Sequence, residues 1–261
     1  MKNIQDEWIP VAIKKWPQAV RTDKEKEEII TEAKLALTLY HKNVVKVYGL
    51  SADTSNMMLI MEMCAGGPLN KYLKRNRGKL SDQIKLRFSF EAALGMEYLS
   101  ANRIVHRDLA SRNCLMGEDL EIKISDFGMS KVGNFHLEDR EGKRIPIRWT
   151  APEALLQGDY SEYSDVYSYG VLVWEIYTEG AWPWSELKTG KEVIKAVKSG
   201  KKLAFPTGVD NRIKKLCEKF WQQKPDDRPS FAVTVKTLAA LGNFSCTDSN
   251  MSMTSKTDSL T

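Results

Sequence analysis

Glycine is absent from the first 48 residues, histidine occurs three times in 261, and the four cysteines (Cys64, Cys114, Cys217, Cys246) stand far apart with no CxxC pair. The cysteine and histidine pattern excludes a disulfide framework and a zinc site, and it reads as free thiols in a reducing compartment. The N-terminus lacks an apolar signal segment, and the longest apolar stretch, near Tyr169–Tyr177, is interrupted by Glu175 and too short to span a bilayer. Neither charge sign is in large excess: 39 basic against 34 acidic residues give +5. The surplus lies in KYLKRNRGK (71–79) and KSGKK (198–202), runs that read as solvated faces rather than as nucleic-acid or membrane surfaces. Internal repeats are absent. What is present is 42% apolar composition over a length that can bury the core of one large or two modest domains, with a cytoplasmic location as the default.

A strand-like run from Trp8 to Ile13 ends on Lys14. After a polar connection, Thr22 or Asp23 offers an N-cap, acidic residues crowd the first turn, and Ile29, Ala33, Ala36 or Leu37 and Tyr40 recur at helical spacing. Strands are expected at 44–50 and 57–62 around the turn-forming SADTSN, so residues 1–62 form one small lobe. Gly66-Gly67-Pro68 breaks this pattern, and a connector at 63–67 leads into a mainly helical lobe at 68–243. Its long helix over 81–102, opened by Ser81 or Asp82, turns Ile84, Phe88, Ala92, Leu94 and Leu99 inward. Further helices are expected near 163–178, 190–199, 210–222 and 229–241. Between them, 103–153 holds short strands at NCLM and EIKIS and little else regular, and a stretch so loop-rich inside a helical lobe carries function. Residues 244–261, rich in Ser and Thr, read as a disordered tail. The fold class is α+β.

IVHRDLASRNCLM (104–116) and KISDFGMS (123–130) suit one chemistry, phosphoryl transfer. That reaction needs an acceptor hydroxyl aimed in line, and phosphate charge neutralised by metal. Asp108 can accept the hydroxyl proton, while Asn113 and Asp126 supply the hard oxygen ligands that Mg²⁺ prefers. The eighteen residues from Asp108 to Asp126 leave room for a small hairpin that gathers all three. Taken singly, each motif has a plainer reading: a buried aspartate pairing with Arg107, a turn-forming Asp-Phe-Gly, or an ordinary strand at Val-Ala-Ile-Lys.

From about Trp8 to Leu241 the chain resembles a protein kinase catalytic domain, with VAIK, HRDLASRN, DFG and TAPE in that family's order. The resemblance implies a two-lobed kinase fold that uses ATP and Mg²⁺. It implies that Lys14 holds the α/β-phosphates and pairs with Glu32, which on helix pattern alone is an exposed partner for a neighbouring charge. MLIMEMCAGGPL becomes the hinge, where backbone groups of Glu62 and Cys64 meet adenine and Met61 guards the pocket behind it. Ala12 and Leu115 would sandwich the adenine ring, though plain core packing would satisfy both. Asp108 is implied as the base, with Asn113 and Asp126 on Mg²⁺. Glu153 paired with Arg228, and Asp165 on the catalytic-loop backbone, are implied as scaffold.

The acceptor class follows from the same comparison. Serine/threonine kinases usually read DLKPEN, whereas DLASRN is similar to the tyrosine-specific DLAARN, with Arg112 serving for that lysine from a different position. A phenol reaches further from its backbone than a serine hydroxyl, so the assisting cation is displaced. IPIRWTAPEAL (145–155) resembles the tyrosine-kinase docking wall, where Pro146 and Trp149 present flat apolar surface to an aromatic ring. The partners so implied are proteins with acceptor tyrosines. HRDLASRNC, KISDFGMS and PIRWTAPEAL resemble the cytoplasmic Fes/Fer kinases, and MEMCAGGPLNKYL is similar to the Syk/ZAP hinge region. A Fes/Fer-like kinase would carry an SH2 domain upstream; none is in this chain.

Three departures accompany the resemblance. With no glycine before Gly49, the glycine-rich loop that should cover the phosphates is missing, which implies a small lobe shortened at its N-terminus. A catalytically impaired scaffold or an incomplete fragment is therefore the alternative reading. Residues 129–150 contain no tyrosine; Glu138 and Asp139, near the position the family phosphorylates, either offer fixed negative charge to an arginine such as Arg107 or are merely solvated. Ala36 is smaller than the family's usual residue, which predicts weaker bracing of the first helix against Phe127.

Overall fold

The computed structural model describes residues 1, 6, 8–16, 22–51, 57–136 and 145–245. The 52–56 part of the SADTSN turn, Leu137, Glu138, Asp139 and the tail from Cys246 onward lie outside the described residues. The small lobe is a three-stranded antiparallel sheet in the order β1-β3-β2, built from β1 (Val11–Lys15), β2 (Val47–Leu50) and β3 (Met58–Glu62). Side chains alternate across a strand, so Ala12 and Lys14 share one face of β1, with Ala12 paired to Met61 and Lys14 to Leu59. Helix α1 (Asp23–Leu37) is opened by Thr22 in a capping box with Glu25 and buries Ile29, Ala33 and Ala36. Leu37 and Tyr40, which continue the helical spacing, are exposed. Ala36 has no accessible surface and shares one core with the 4% exposed Phe127, so the packing around this small side chain is closed.

In the large lobe, β4 (Gly67–Pro68) leads to α2 (Leu69–Arg75), and Ser81 caps α3 (Asp82–Ala101) by accepting from the Ile84 N–H. Next come β5 (Ile104–Val105), the hairpin β6 (Cys114–Met116) and β7 (Ile122–Ile124), and then β8 (Lys131–Val132) and β9 (Phe135–His136). They are followed by α4 (Pro152–Leu156), β10 (Asp159–Tyr160), α5 (Glu162–Tyr177), α6 (Gly190–Lys198), α7 (Asn211–Phe220) and α8 (Phe231–Gly242). Helix α5 is buried on almost every side, which is why its sequence is apolar all round rather than striped. Two short helices, α2 and α4, escape sequence reading because neither is long enough to show a period. Phe244, assigned from sequence to the tail, stacks on Phe90 with ring centroids 4.9 Å apart. Among the described residues no helix is long and apolar enough to cross a membrane.

The lobes are joined behind the sheet as well as through the connector. Val44 bridges Ile124, Val45 N–H donates to the Ile124 carbonyl at 2.9 Å, and Ile124 N–H donates to the Asn43 carbonyl at 2.9 Å. Asn43 Nδ2 donates to the Ile122 carbonyl at 2.8 Å, and Lys123 Nζ donates to the Lys42 carbonyl at 2.9 Å while pairing with Glu62 at 3.1 Å. The loop after α1 is thereby fixed to the hairpin that carries the loop residues described next.

Candidate active site

A cavity of about 250 Å³ lies between the lobes. From the small lobe Ala12, Lys14, Glu32 and Met61 line it, and from the large lobe Arg112, Asn113, Leu115, Asp126 and Phe127. Lys14 Nζ lies 2.9 Å from Glu32 Oε1 and 2.9 Å from Asp126 Oδ1, so one ammonium ties β1, α1 and the segment after β7. Burial by itself would lower the Lys14 pKa, but Asp126 and Glu32 outweigh it and hold it above its ordinary value. Burial likewise works against ionised Asp126, and the Lys14 ammonium overrides that and keeps the carboxyl below its usual range. Both groups are charged at neutral pH.

Asp108 stands beside this cavity rather than on its wall. Its carboxylate is held by Arg112 Nη2 through Oδ1 and by Asn113 Nδ2 at 2.8 Å through Oδ2, and the Asn113 amide also donates to the Asp108 carbonyl at 2.7 Å. The backbone that presents it is unusual. Arg107 has φ of 70° and Asp126 has φ of 64°, conformations that an ordinary residue holds only when its surroundings impose them. At Arg107 the constraint is Asp165, whose carboxylate accepts from the His106 N–H at 2.6 Å and the Arg107 N–H at 2.9 Å. Complete burial pushes Asp165 up to about 6 despite the opposing pull of His106 and those two amides. At Asp126, the preceding Ser125 donates from N–H and Oγ to the Asn113 carbonyl, each at 2.9 Å, which sets Asn113 and Asp126 side by side. Phe127 packs edge-on against His106, centroids 5.7 Å apart.

The remaining candidates fall into three places. Glu62 and Cys64 are not on the cavity wall: the Glu62 side chain is taken by the Lys46 N–H at 2.7 Å and by Lys123, and the Cys64 carbonyl accepts from Gly67 N–H at 3.0 Å. Burial pushes the Cys64 thiol up to about 11, so it stays protonated. Glu153 and Arg228 form a bidentate pair at 2.6 and 2.8 Å and do not line the cavity, with Arg228 fully enclosed. Pro146 is half-buried, and Trp149 is only 4% exposed, with the Arg112 guanidinium 4.3 Å above its ring. Trp149 therefore offers no open face; the exposed ring on this wall is Trp182, edge-on to Trp149 at 5.0 Å. Arg107 lies over Phe135 at 4.7 Å and Tyr160 at 4.5 Å and donates to the Met129 carbonyl at 2.9 Å.

The family described as protein tyrosine and serine/threonine kinase matches residues 1–238. The chain belongs to the protein kinase family. Tyrosine-protein kinase Fer of Homo sapiens is 39% identical over 230 residues, 85% of this chain and 28% of that protein. Tyrosine-protein kinase TXK of Homo sapiens is 36% identical over 242 residues, 90% of this chain and 45% of that protein. Inactive tyrosine-protein kinase 7 of Gallus gallus is 39% identical over 222 residues, 81% of this chain and 21% of that protein. The chain thus spans about a quarter of the length of Fer and under half of TXK.

One residue of this kinase domain was invisible to motif reading. Glu175 registers in the sequence only as an interruption of an apolar run, yet its buried carboxylate accepts from Ser111 N–H at 3.0 Å, Ser111 Oγ at 2.5 Å and Trp149 Nε1 at 2.8 Å. It locks the loop carrying Asp108 to the loop carrying Trp149. The signal that could have found it is a carboxylate inside an otherwise apolar helix, since such a charge needs partners to be buried.

Proposed function

We propose that this chain is a non-receptor protein-tyrosine kinase that transfers the γ-phosphoryl group of ATP to tyrosine hydroxyls of proteins. The observation that carries this reading is the convergence of Asp108, held by Arg112 and Asn113, on a cavity where Lys14, Glu32 and Asp126 already form a charged cluster. Asp108 orients the acceptor hydroxyl and accepts its proton, and Arg112 brings positive charge beside it. Lys14, kept in place by Glu32, meets phosphate oxygens. Ala12 and Leu115 lie on the cavity wall where an adenine ring would be enclosed, with Met61 behind it. Backbone groups of Glu62, just before the 63–67 hinge, and of Cys64, within it, would meet the adenine edge. Glu153, Arg228 and Asp165 act as scaffold.

The donor set suits magnesium. Asn113 gives its amide nitrogen to Asp108 and so retains its oxygen, Asp126 is ionised, and Mg²⁺ commonly takes one or two protein oxygens together with substrate phosphates. When bound by Asn113 and Asp126, Mg²⁺ would neutralise the negative charge of the phosphates. Further parts of the proposal are a small lobe over 1–62, a large lobe over 68–243, a cytoplasmic location and an SH2 domain upstream in the whole protein.

A kinase-like scaffold without catalysis is the second reading, favoured by the likeness to a relative named inactive. One experiment separates the two. The chain, and a version extended upstream through a glycine-rich loop, are incubated with Mg-ATP and either a tyrosine-containing or a serine-containing copolymer. Phosphotyrosine formation that vanishes in Asp108→Asn supports the kinase; a folded protein inert in both versions supports the scaffold.

A further inference from the structure

Trp182 exposes 53% of its surface while touching a residue that is almost completely enclosed. A lone exposed aromatic needs no explanation. This one is not alone: it ends a continuous row of side chains that begins at the catalytic loop. Asp108 holds Arg112, the Arg112 guanidinium lies 4.3 Å from the Trp149 ring, and Trp149 meets Trp182 edge-on at 5.0 Å. The exposed ring is also held in place. Arg148, on the same loop as Trp149, donates to the Pro183 carbonyl at 2.8 Å, the Trp184 carbonyl at 2.5 Å and the Leu187 carbonyl at 2.8 Å, clamping the segment that carries Trp182. Its guanidinium sits 5.8 Å from the Trp182 ring. An indole carried on a clamped segment and packed edge-on against a buried ring loses little entropy on contact, which is the property of an anchoring aromatic.

We propose that Trp182 is a specificity-determining residue that receives an aromatic or long aliphatic side chain of the protein substrate, two or three residues from the acceptor tyrosine. The position follows from the row itself. Its two spacings put Trp182 no more than about 9 Å from the Arg112 guanidinium, and an extended peptide advances about 3.3 Å per residue. The chemistry follows from the surface: a half-exposed indole gains most from a second apolar or aromatic group, and the Arg148 cation over its ring disfavours lysine or arginine there. The inference deepens the proposed tyrosine-kinase function and rests on it.

The test uses the full chain with peptides of one tyrosine in a neutral background, each carrying a phenylalanine at a single place from three residues before to three residues after the tyrosine. Phosphorylation kinetics and, independently of turnover, peptide affinity by fluorescence anisotropy are measured for wild type, Trp182→Ala and Trp182→Phe. Wild type should prefer phenylalanine at one position by about five- to tenfold in kcat/KM and in affinity. Trp182→Ala should abolish that preference through KM with kcat unchanged, and Trp182→Phe should largely restore it. Equal loss for every peptide, a fall in kcat without a change in selectivity, or no effect would overturn the assignment. Should no peptide be phosphorylated, the tyrosine-kinase reading fails separately, and the affinity series still decides the role of Trp182.

Discussion

Lys14 and Asp126, 112 positions apart in the chain, lie 2.9 Å apart across the cleft, and the same ammonium reaches Glu32 at the same distance. Two carboxylates therefore surround one cation before any phosphate arrives. Removing that cation leaves Glu32 and Asp126 facing each other without compensation, in the place where the proposed substrate brings more negative charge. Lys14→Met should lower phosphotransfer by about 10²–10³-fold, the scale for losing one preorganised electrostatic group. Circular dichroism should show the fold intact; retained turnover in a folded variant would contradict the role given to Lys14.

Asp108 is absent from the cavity wall and Asp126 is on it, so the two aspartates should respond differently to substitution. Asp108→Asn should reduce kcat by about 10²–10⁴-fold, the range for a positioned general base, while nucleotide affinity stays within a factor of about two. Asp126→Ala should weaken Mg-nucleotide binding itself. Isothermal titration alongside a phosphotyrosine assay reads both quantities, and an equal loss of affinity in the two variants would refute the division of labour.

The order of motifs made the fold and most of the cavity legible, because phosphate chemistry demands particular residue types at positions the chain must bring together. Lys14, Glu32, Asn113 and Asp126 were accessible that way, each carrying a charge or an amide in a recognisable setting. Glu175 and Trp182 were not. The importance of Glu175 lies in partners 64 and 26 positions away, and that of Trp182 in being exposed where Trp149 is covered. Neither partners so distant in the chain nor the exposure of one tryptophan beside a covered one can be read from the motifs themselves. The same holds for α2 and α4, too short for a period, and for Phe244, which packs on Phe90 although its neighbours read as tail.

Asp165 gives a pH-dependent handle on the catalytic loop. Its pKa is about 6 in the folded protein against an ordinary value of 3.8, the cause being burial only partly offset by His106 and by the amides it caps. A carboxyl whose folded pKa is raised binds its proton more tightly when native, so its contribution to stability falls as pH rises from 3.8 toward 6. Asp165→Asn cannot titrate. The unfolding free energy of wild type minus that of Asp165→Asn should therefore decline by on the order of 2 kcal/mol between about pH 4 and pH 7. Urea denaturation of both proteins across that range provides the measurement, and a difference that rises or stays flat would rule out a raised native pKa.

Gly95 in the middle of α3 offers the sharpest test of how the lobes are joined. Glycine there is unfavourable for the helix by about 1 kcal/mol relative to alanine, so on propensity alone Gly95→Ala should stabilise the protein. Packing opposes this: a Cβ at Gly95 would lie 2.4 Å from the Asn43 carbonyl oxygen and 2.8 Å from Ile124 Cγ1. The first is backbone, and it cannot swing aside because it already accepts the Ile124 N–H at 2.9 Å in the tether between the lobes. Overpacking against such a neighbour costs about 1–3 kcal/mol, enough to outweigh the propensity gain. Gly95→Ala should thus lose stability in urea. Gly49→Ala, where a Cβ meets nothing within 4 Å, serves as the control and should be near neutral. If Gly95→Ala proved as stable as wild type, the loop holding Asn43 would have to yield to the new methyl, and the link between α3, the hairpin and the small lobe would be softer than its hydrogen bonds imply.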